Sequence, residues 1–274
     1  MHISFEKSSD AEDVYKIIQE FINEPIQYMD IALEECTLYI NIEKDELFCI
    51  HTYVVPALTK FVTEWKETLY LQEIISNIFY FHDEMEQQNI IQMVYSLVDE
   101  VECSTMKEKK REEIVTQSLK KFLSKNISFS FDAFVTFRLK EYLKRLEEYI
   151  ELAIDEYKLE QDYQDFIESL RKYIFAKTPT FDLIHVVHEK DAFLFYDREY
   201  KAITHHIQLI EEDFVTINGF EVDKQVIAPL LFLAPKEIHL YTYFFDHGVV
   251  QTLMNIFQER IQCHQYEQFN NIKN

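Results

Sequence analysis

Residues 139–174 read LKEYLKRLEEYIELAIDEYKLEQDYQDFIESLRKYI. Leu139, Tyr142, Leu143, Leu146, Tyr149, Ile150, Ala153, Ile154 and Tyr157 recur by threes and fours, and Phe131 and Phe134 lead in. The pattern resumes at Tyr163, Phe166, Ile167, Leu170 and Ile174. This is the spacing of one apolar stripe on an α-helix. No glycine or proline interrupts residues 127–178. A single helix over 133–174 would run about 60 Å at 1.5 Å per residue. A compact domain rarely holds such a rod, so a break near Gln161-Asp162 and an intrachain hairpin are expected. A coiled-coil homodimer is the alternative, although aromatic seam residues make poor knobs.

To either side the period changes. Residues 2–6, 37–42 and 47–50 alternate like short strands, with Glu43 to Glu46 as a hairpin turn between the latter two. Ser8 to Asp10 offer caps for a helix carrying Val14, Ile17, Ile18, Phe21 and Ile22. Pro56 opens a helix with Leu58, Phe61, Val62, Trp65 and Leu69 on one face. A second stripe runs Ile90, Ile91, Val94, Leu97, Val98, and a third helix spans about 106–124. After Pro179, strands are expected at 181–187, 192–196 and 237–243, with a turn at Asn218-Gly219. Buried helices are expected at 223–233, where Pro229 threatens a kink, and at 249–261.

The fold class is therefore α+β, mostly helical, with short strands at both ends flanking a central helical region. The expected segments are an N-terminal α/β piece at 1–52, helices at 53–178, a C-terminal α/β piece at 179–263 and a polar tail at 264–274. Whether the two ends share one sheet within a single domain stays open.

Composition excludes more than it assigns. The chain has 274 residues, with two glycines, Gly219 and Gly248, and five prolines. A P-loop or dinucleotide-binding turn needs glycines a few residues apart, so neither motif is present, and the nucleophile elbow of an α/β hydrolase is excluded likewise. Lys+Arg is 27 against Asp+Glu 49, a formal charge of −22. Such a chain repels duplex nucleic acid and anionic membrane overall. Residues 104–146 reverse the sign, with 11 basic and 5 acidic groups. Cys36, Cys49, Cys103 and Cys263 form no Cys-x-x-Cys unit, which fits a reduced cytoplasm. The N-terminus lacks the pattern of a secretory signal, and no membrane span is expected.

Within residues 104–146, Lys107, Lys110, Arg111, Lys121 and Lys125 fall within about a 100° arc of a helix. This basic stripe is a candidate interaction surface, with nucleic-acid association as one alternative function and a solvated helix face as the plain reading. His82-Asp83 with His51 and a distal Asp99 or Asp155 matches the residue types of an HD-type metal-dependent phosphohydrolase, a further alternative. A helix-start role for Asp83 explains the same residues. Cys49-x-His51 on a strand would make half a zinc site, but no second half follows; Cys263-His264 is the other adjacent pair. His185 and His188 on a strand point to opposite faces, and the neighbours His205 and His206 also diverge.

Phe134, Phe137-Arg138-Leu139-Lys140-x-Tyr142 and Glu160-x-x-Tyr163-x-x-Phe166-Ile167-x-x-Leu170 together resemble the YtxC-like family, linked to sporulation in endospore-forming bacteria. Asp182-Leu183-x-x-Val186-Val187 and Leu233-Ala234-Pro235-Lys236-x-Ile238 extend the likeness. The resemblance implies a cytoplasmic bacterial protein and carries no catalytic residue or cofactor with it. Phe137 and Tyr142 are expected in the core, and Arg138 and Lys140 join the candidate interaction residues, Arg138 as a bidentate carboxylate clamp. The expected function is a non-enzymatic interaction or regulatory factor with a protein partner and no cofactor.

Overall fold

A computed structural model describes residues 1–22, 29–104, 110–124, 127–190, 192–203, 216–217 and 220–273, with backbone alone at 99–104, 216–217, 220–221 and 272–273. The chain divides into two compact units, Met1–Lys158 and Leu159–Asn274. Both are α+β, and helix predominates.

The first unit begins with β1 (His2–Ser4), α1 (Ser8–Phe21), β2 (Met29–Glu34) and β3 (Thr37–Ile42). Helical chain follows from Glu46 to Asn77: α2 (Glu46–Cys49), a π turn at Ile50–Val54, α3 (Val55–Lys60), a π turn at Phe61–Lys66 and α4 (Glu67–Asn77). Next come α5 (Glu84–Ser104), α6 (Arg111–Phe122), β4 (Ser128–Ser130), α7 (Phe131–Arg138) and the start of α8 (Lys140–Ala176). The strands form one sheet in the order β2-β3-β1-β4, with β1 antiparallel to β3 and parallel to β4. Ile3 on the inner strand is fully buried. Phe5 after β1, Phe61 and Phe131 meet with centroids 5.2–6.3 Å apart, joining sheet to helices. Each such ring contributes roughly 1.5–3 kcal/mol by burial.

The second unit takes up the end of α8 and continues with β5 (Leu183–Glu189), β6 (Ala192–Tyr196), the short pair β7 (Thr216–Ile217) and β8 (Phe220–Glu221), α9 (Ile227–Leu233), β9 (Glu237–Thr242), α10 (Gly248–Phe257), β10 (Ile261–Gln265) and α11 (Tyr266–Lys273). Its main sheet has the order β10-β9-β5-β6, parallel except for the β5–β6 hairpin. One face carries the core of Ile184, Val186, Ile238 and Leu240 against α9, α10 and Ile167, Leu170 and Ile174 of α8. The other face is covered by α11, whose Phe269 is buried against Val187 and Tyr241.

Several expectations are corrected. The break at Gln161-Asp162 is absent: α8 runs unbroken for 37 residues. Its helical stripe serves two cores in succession. Tyr142 to Tyr157 pack into the first and Ile167 to Ile174 into the second, so neither unit has to fold the rod back. The interruption falls earlier, at Leu139, between α7 and α8. Leu47 to Ile50 is helical, because Asp45 takes a left-handed conformation (φ 49°) and turns the chain into α2. The partner of β3 is β2, across a turn at Glu35 (φ 50°). Trp65 and Leu69 are about half exposed, because the π turn at Phe61–Lys66 rotates the later stripe away from the core. Phe137 is 68% exposed rather than core, whereas Tyr142 is fully buried. Residues 264–274, read as a polar tail, complete β10 and form α11 up to Lys273. Pro229 causes no kink because α9 starts at Ile227, leaving the proline in a first turn that needs no donor from it. The Asn218-Gly219 turn lies outside the described residues.

Leu159 lies in the interior of α8 and is 64% exposed. Leu159→Pro is therefore expected to destabilise by about 3 kcal/mol in denaturant unfolding, and Leu159→Ala by under about 1 kcal/mol. Equal effects of the two would contradict a continuous helix there.

Candidate functional site

The predicted basic residues do not act as one stripe. Lys107 and Lys125 lie outside the described residues. Lys110 is exposed at the N-terminal cap of α6. Arg111, one position later, turns inward and sets a guanidinium nitrogen 3.1 Å from Glu67 Oε1. Lys121 on α6 and Arg138 on α7 do come together, in a groove of about 420 Å³ that Ile114, Phe122 and Glu141 also line. The Arg138 guanidinium lies 5.7 Å from the centroid of the Phe122 ring, a cation–π stack that leaves its edge for an acceptor. The Ser118 hydroxyl donates to the Arg138 carbonyl at 3.0 Å and ties α6 to the end of α7. Lys140 joins a different cleft, of about 620 Å³, with Lys66, Lys144, Asp10 and Asp132. Lys66 is already committed there, to Asp10 at 2.8 Å.

Glu67 explains why Arg111 leaves the surface. The π turn before α4 brings Glu67 inward until it is 1% exposed. The Tyr142 hydroxyl donates to Glu67 Oε2 at 2.7 Å while Arg111 stands against Oε1. Burial first, and Glu67 second, hold the Tyr142 phenol far above its ordinary value. The clamp joins α4, α6 and α8 and keeps the Tyr142 phenol protonated.

The other constellations separate. Asp83 Oδ1 accepts from the backbone N–H of Met85 and Glu86 at 2.9 and 3.0 Å, starting α5. His51, His82 and Asp155 are exposed, and the Asp99 side chain is not described. Cys49 and His51 lie on helix instead of strand, two residues apart and hence on different faces; Cys49 is buried and His51 exposed. Among the described residues, no three His, Cys, Asp or Glu side chains are grouped so as to hold a metal ion. His205 and His206 lie outside the described residues.

A histidine cluster in the second unit escapes sequence reading. His185 on β5 is 2% exposed. It lies opposite His239 on β9 in the register, with rings 5.3 Å apart, and His239 lies 4.9 Å from His264 on β10. His185 Nδ1 and the Tyr241 hydroxyl share a hydrogen bond of 3.2 Å, and Tyr200 stacks on the His185 ring at 4.4 Å. Burial, then His239 and His264, pull the His185 imidazole down to about 4, against the opposing pull of Asp197 and Glu237. Burial and His239 lower His264 as well, with Gln268 opposing. His188 takes the opposite face of β5 and bonds Thr242 Oγ1 at 3.0 Å. The sequence offers His185 and His239 on strands and the Cys263-His264 pair, but none of these shows that their strands are neighbours.

The Glu67 clamp has a direct test. Glu67→Ala leaves the largely enclosed Arg111 charge without this carboxylate and is expected to cost about 3–5 kcal/mol in denaturant unfolding. Tyr142→Phe, which removes one hydrogen bond and keeps the ring, should cost about 1–2 kcal/mol.

Comparisons with known proteins agree with one another. The model of the YtxC-like family matches residues 52–262. The chain is 33% identical over 267 residues to uncharacterized protein YtxC of Bacillus subtilis (strain 168), covering 96% of this chain and 93% of that protein. No solved structure matches. No helix among the described residues is long and apolar enough to cross a membrane. The expectation raised by Phe137-Arg138-Leu139-Lys140 and the segments after it thus holds: the chain belongs to the YtxC-like family.

Proposed function

We propose that the protein is a non-enzymatic interaction factor whose α6–α7 groove receives an acidic segment of a partner protein in the bacterial cytoplasm. The sporulation setting belongs to the same proposal and rests on the family likeness. One observation carries the reading: Lys121 and Arg138, from two different helices, flank one groove in a chain of net charge −22. An anionic partner is repelled by most of this chain, so a local cationic groove gives register as well as attraction. Arg138 supplies a planar fork held over Phe122, and Lys121 a mobile point charge beside it. Glu141 at the rim disfavours a partner that crowds it with carboxylates, so a segment with spaced acids fits better than a polyanion.

A fluorescein-labelled peptide of alternating glutamate and leucine serves as the probe, read by anisotropy. Lys121→Glu with Arg138→Glu should weaken binding by at least about tenfold, the equivalent of about 1.4 kcal/mol. Raising the salt should weaken the parent protein too. Equal binding by parent and double variant would remove the groove from the function. Preference for duplex DNA over the peptide would replace this reading with nucleic-acid association.

A further inference from the structure

The face of the second unit's sheet beneath α11 holds three imidazoles from three adjacent strands, with Tyr200 stacked on His185 and Tyr241 on His264. Among the described residues, the buried Nε2 atoms of His185 and His264 have no hydrogen-bond partner. A core assembled for stability alone would fill these positions with apolar side chains, since an unmade buried hydrogen bond costs free energy. α11 closes over the cluster by packing on β5, β9 and β10. Phe269 anchors it, 5.1 Å from both Tyr196 and Tyr241 and 6.0 Å from Tyr200. Tyr266 adds a bond to Glu189 and a stack on Tyr243 at 4.6 Å.

We propose that α11 is a proton-operated latch: charging His185 and His264 beneath it lifts α11 from the sheet and bares the tyrosine-lined face.

Titratable and polar groups face the cluster from every element packed against it. From β9 come Glu237, His239 and Tyr241; from β10, His264; from the turn after β6, Asp197 and Tyr200; from β6, Tyr196. From α11 come Tyr266, committed to Glu189, Glu267, which bonds Tyr243, and the neutral Gln268 beside His264. Glu237 Oε1 lies 3.0 Å from His239 Nε2, an acceptor set against the ring that sits between His185 and His264. Burial beneath α11 first, and the neighbouring imidazoles second, oppose protonation of His185 and His264. Lifting α11 hydrates the His185 and His264 rings and removes the opposition. The sign follows from linkage. An imidazole held near 4 when enclosed and near 6.5 when hydrated binds more protons in the open form. For His185 alone this favours opening about thirtyfold at about pH 5 and hardly at all at about pH 7.5. The closed form loses ground as pH falls from 6.5 towards 4.

Hydrogen exchange on the full chain, corrected for the intrinsic pH dependence of amide exchange, reads the latch. Between about pH 7.5 and about pH 5, amides of residues 266–273 should lose at least about tenfold in protection, while those around Leu71 and Ile75 in α4 keep theirs. In His185→Phe with His264→Gln the loss should shrink to under about threefold. Phe269→Ala, which removes the anchor and leaves the histidines, should expose residues 266–273 already at about pH 7.5. Unchanged protection in the parent protein overturns the proposal, as does α4 opening in step with α11, or a full pH response in the double variant. Full protection in Phe269→Ala overturns it independently, and that arm does not depend on the histidine variants folding.

Discussion

One unbroken helix, α8, contributes buried residues to the core of each compact unit. α8 carries its apolar stripe past the limit of the first compact unit and into the second, with no glycine or proline to end it. A hydrophobic stripe must be buried, but it need not be buried by a single partner. Tyr142, Leu146, Tyr149, Ile150 and Ala153 are absorbed by one core, and Ile167, Leu170 and Ile174 by another. Helix formation is cooperative once nucleated, so a sequence with no breaker continues through the junction. The Leu152 and Leu159 side chains stay largely exposed on this helix.

The two units bury titratable groups in different ways. In the first, Glu67 is taken inside with partners, a tyrosine hydroxyl on one oxygen and a guanidinium on the other. Partnering of this kind keeps a buried carboxylate tolerable and locks three helices together. In the second, His185 is taken inside among rings and other imidazoles, which makes the neutral form the stable one near neutral pH. The first arrangement resists change; the second is sensitive to a proton. The groove formed by Lys121 and Arg138 differs from both, because its cations are accessible and lie beside an aromatic face.

Much of the fold is legible in the chain's periodicity. The switch from period two to period 3.6 and back locates strands at both ends and helices between, and β1, β3, β5, β6, β9 and α1 lie where the alternation places them. Two of the misreadings share a cause. Leu47 to Ile50 has strand-like residues, yet the turn at Asp45 sends it into a helix. Trp65 sits on the expected stripe, yet a π turn shifts the phase. Phe137 is aromatic in a family-like motif, yet it faces solvent. In the first two cases a local backbone choice overrides a side-chain pattern. Of the candidate site, Lys121 and Arg138 are legible as basic residues on helices, but not as two walls of one groove.

Sequence by itself determined the fold class, the family and the exclusion of glycine-dependent phosphate motifs, because periodicity, motif order and composition are properties of the chain alone. Tertiary structure alone decided which distant residues meet. Glu67 finds Tyr142 and Arg111 because a π turn rotates it inward while α6 and α8 pack beside it. His185, His239 and His264 form a cluster because β5, β9 and β10 are neighbours in the sheet, with α9 and α10 intervening along the chain. Strand order is set by how the whole core packs, and no local spacing encodes it.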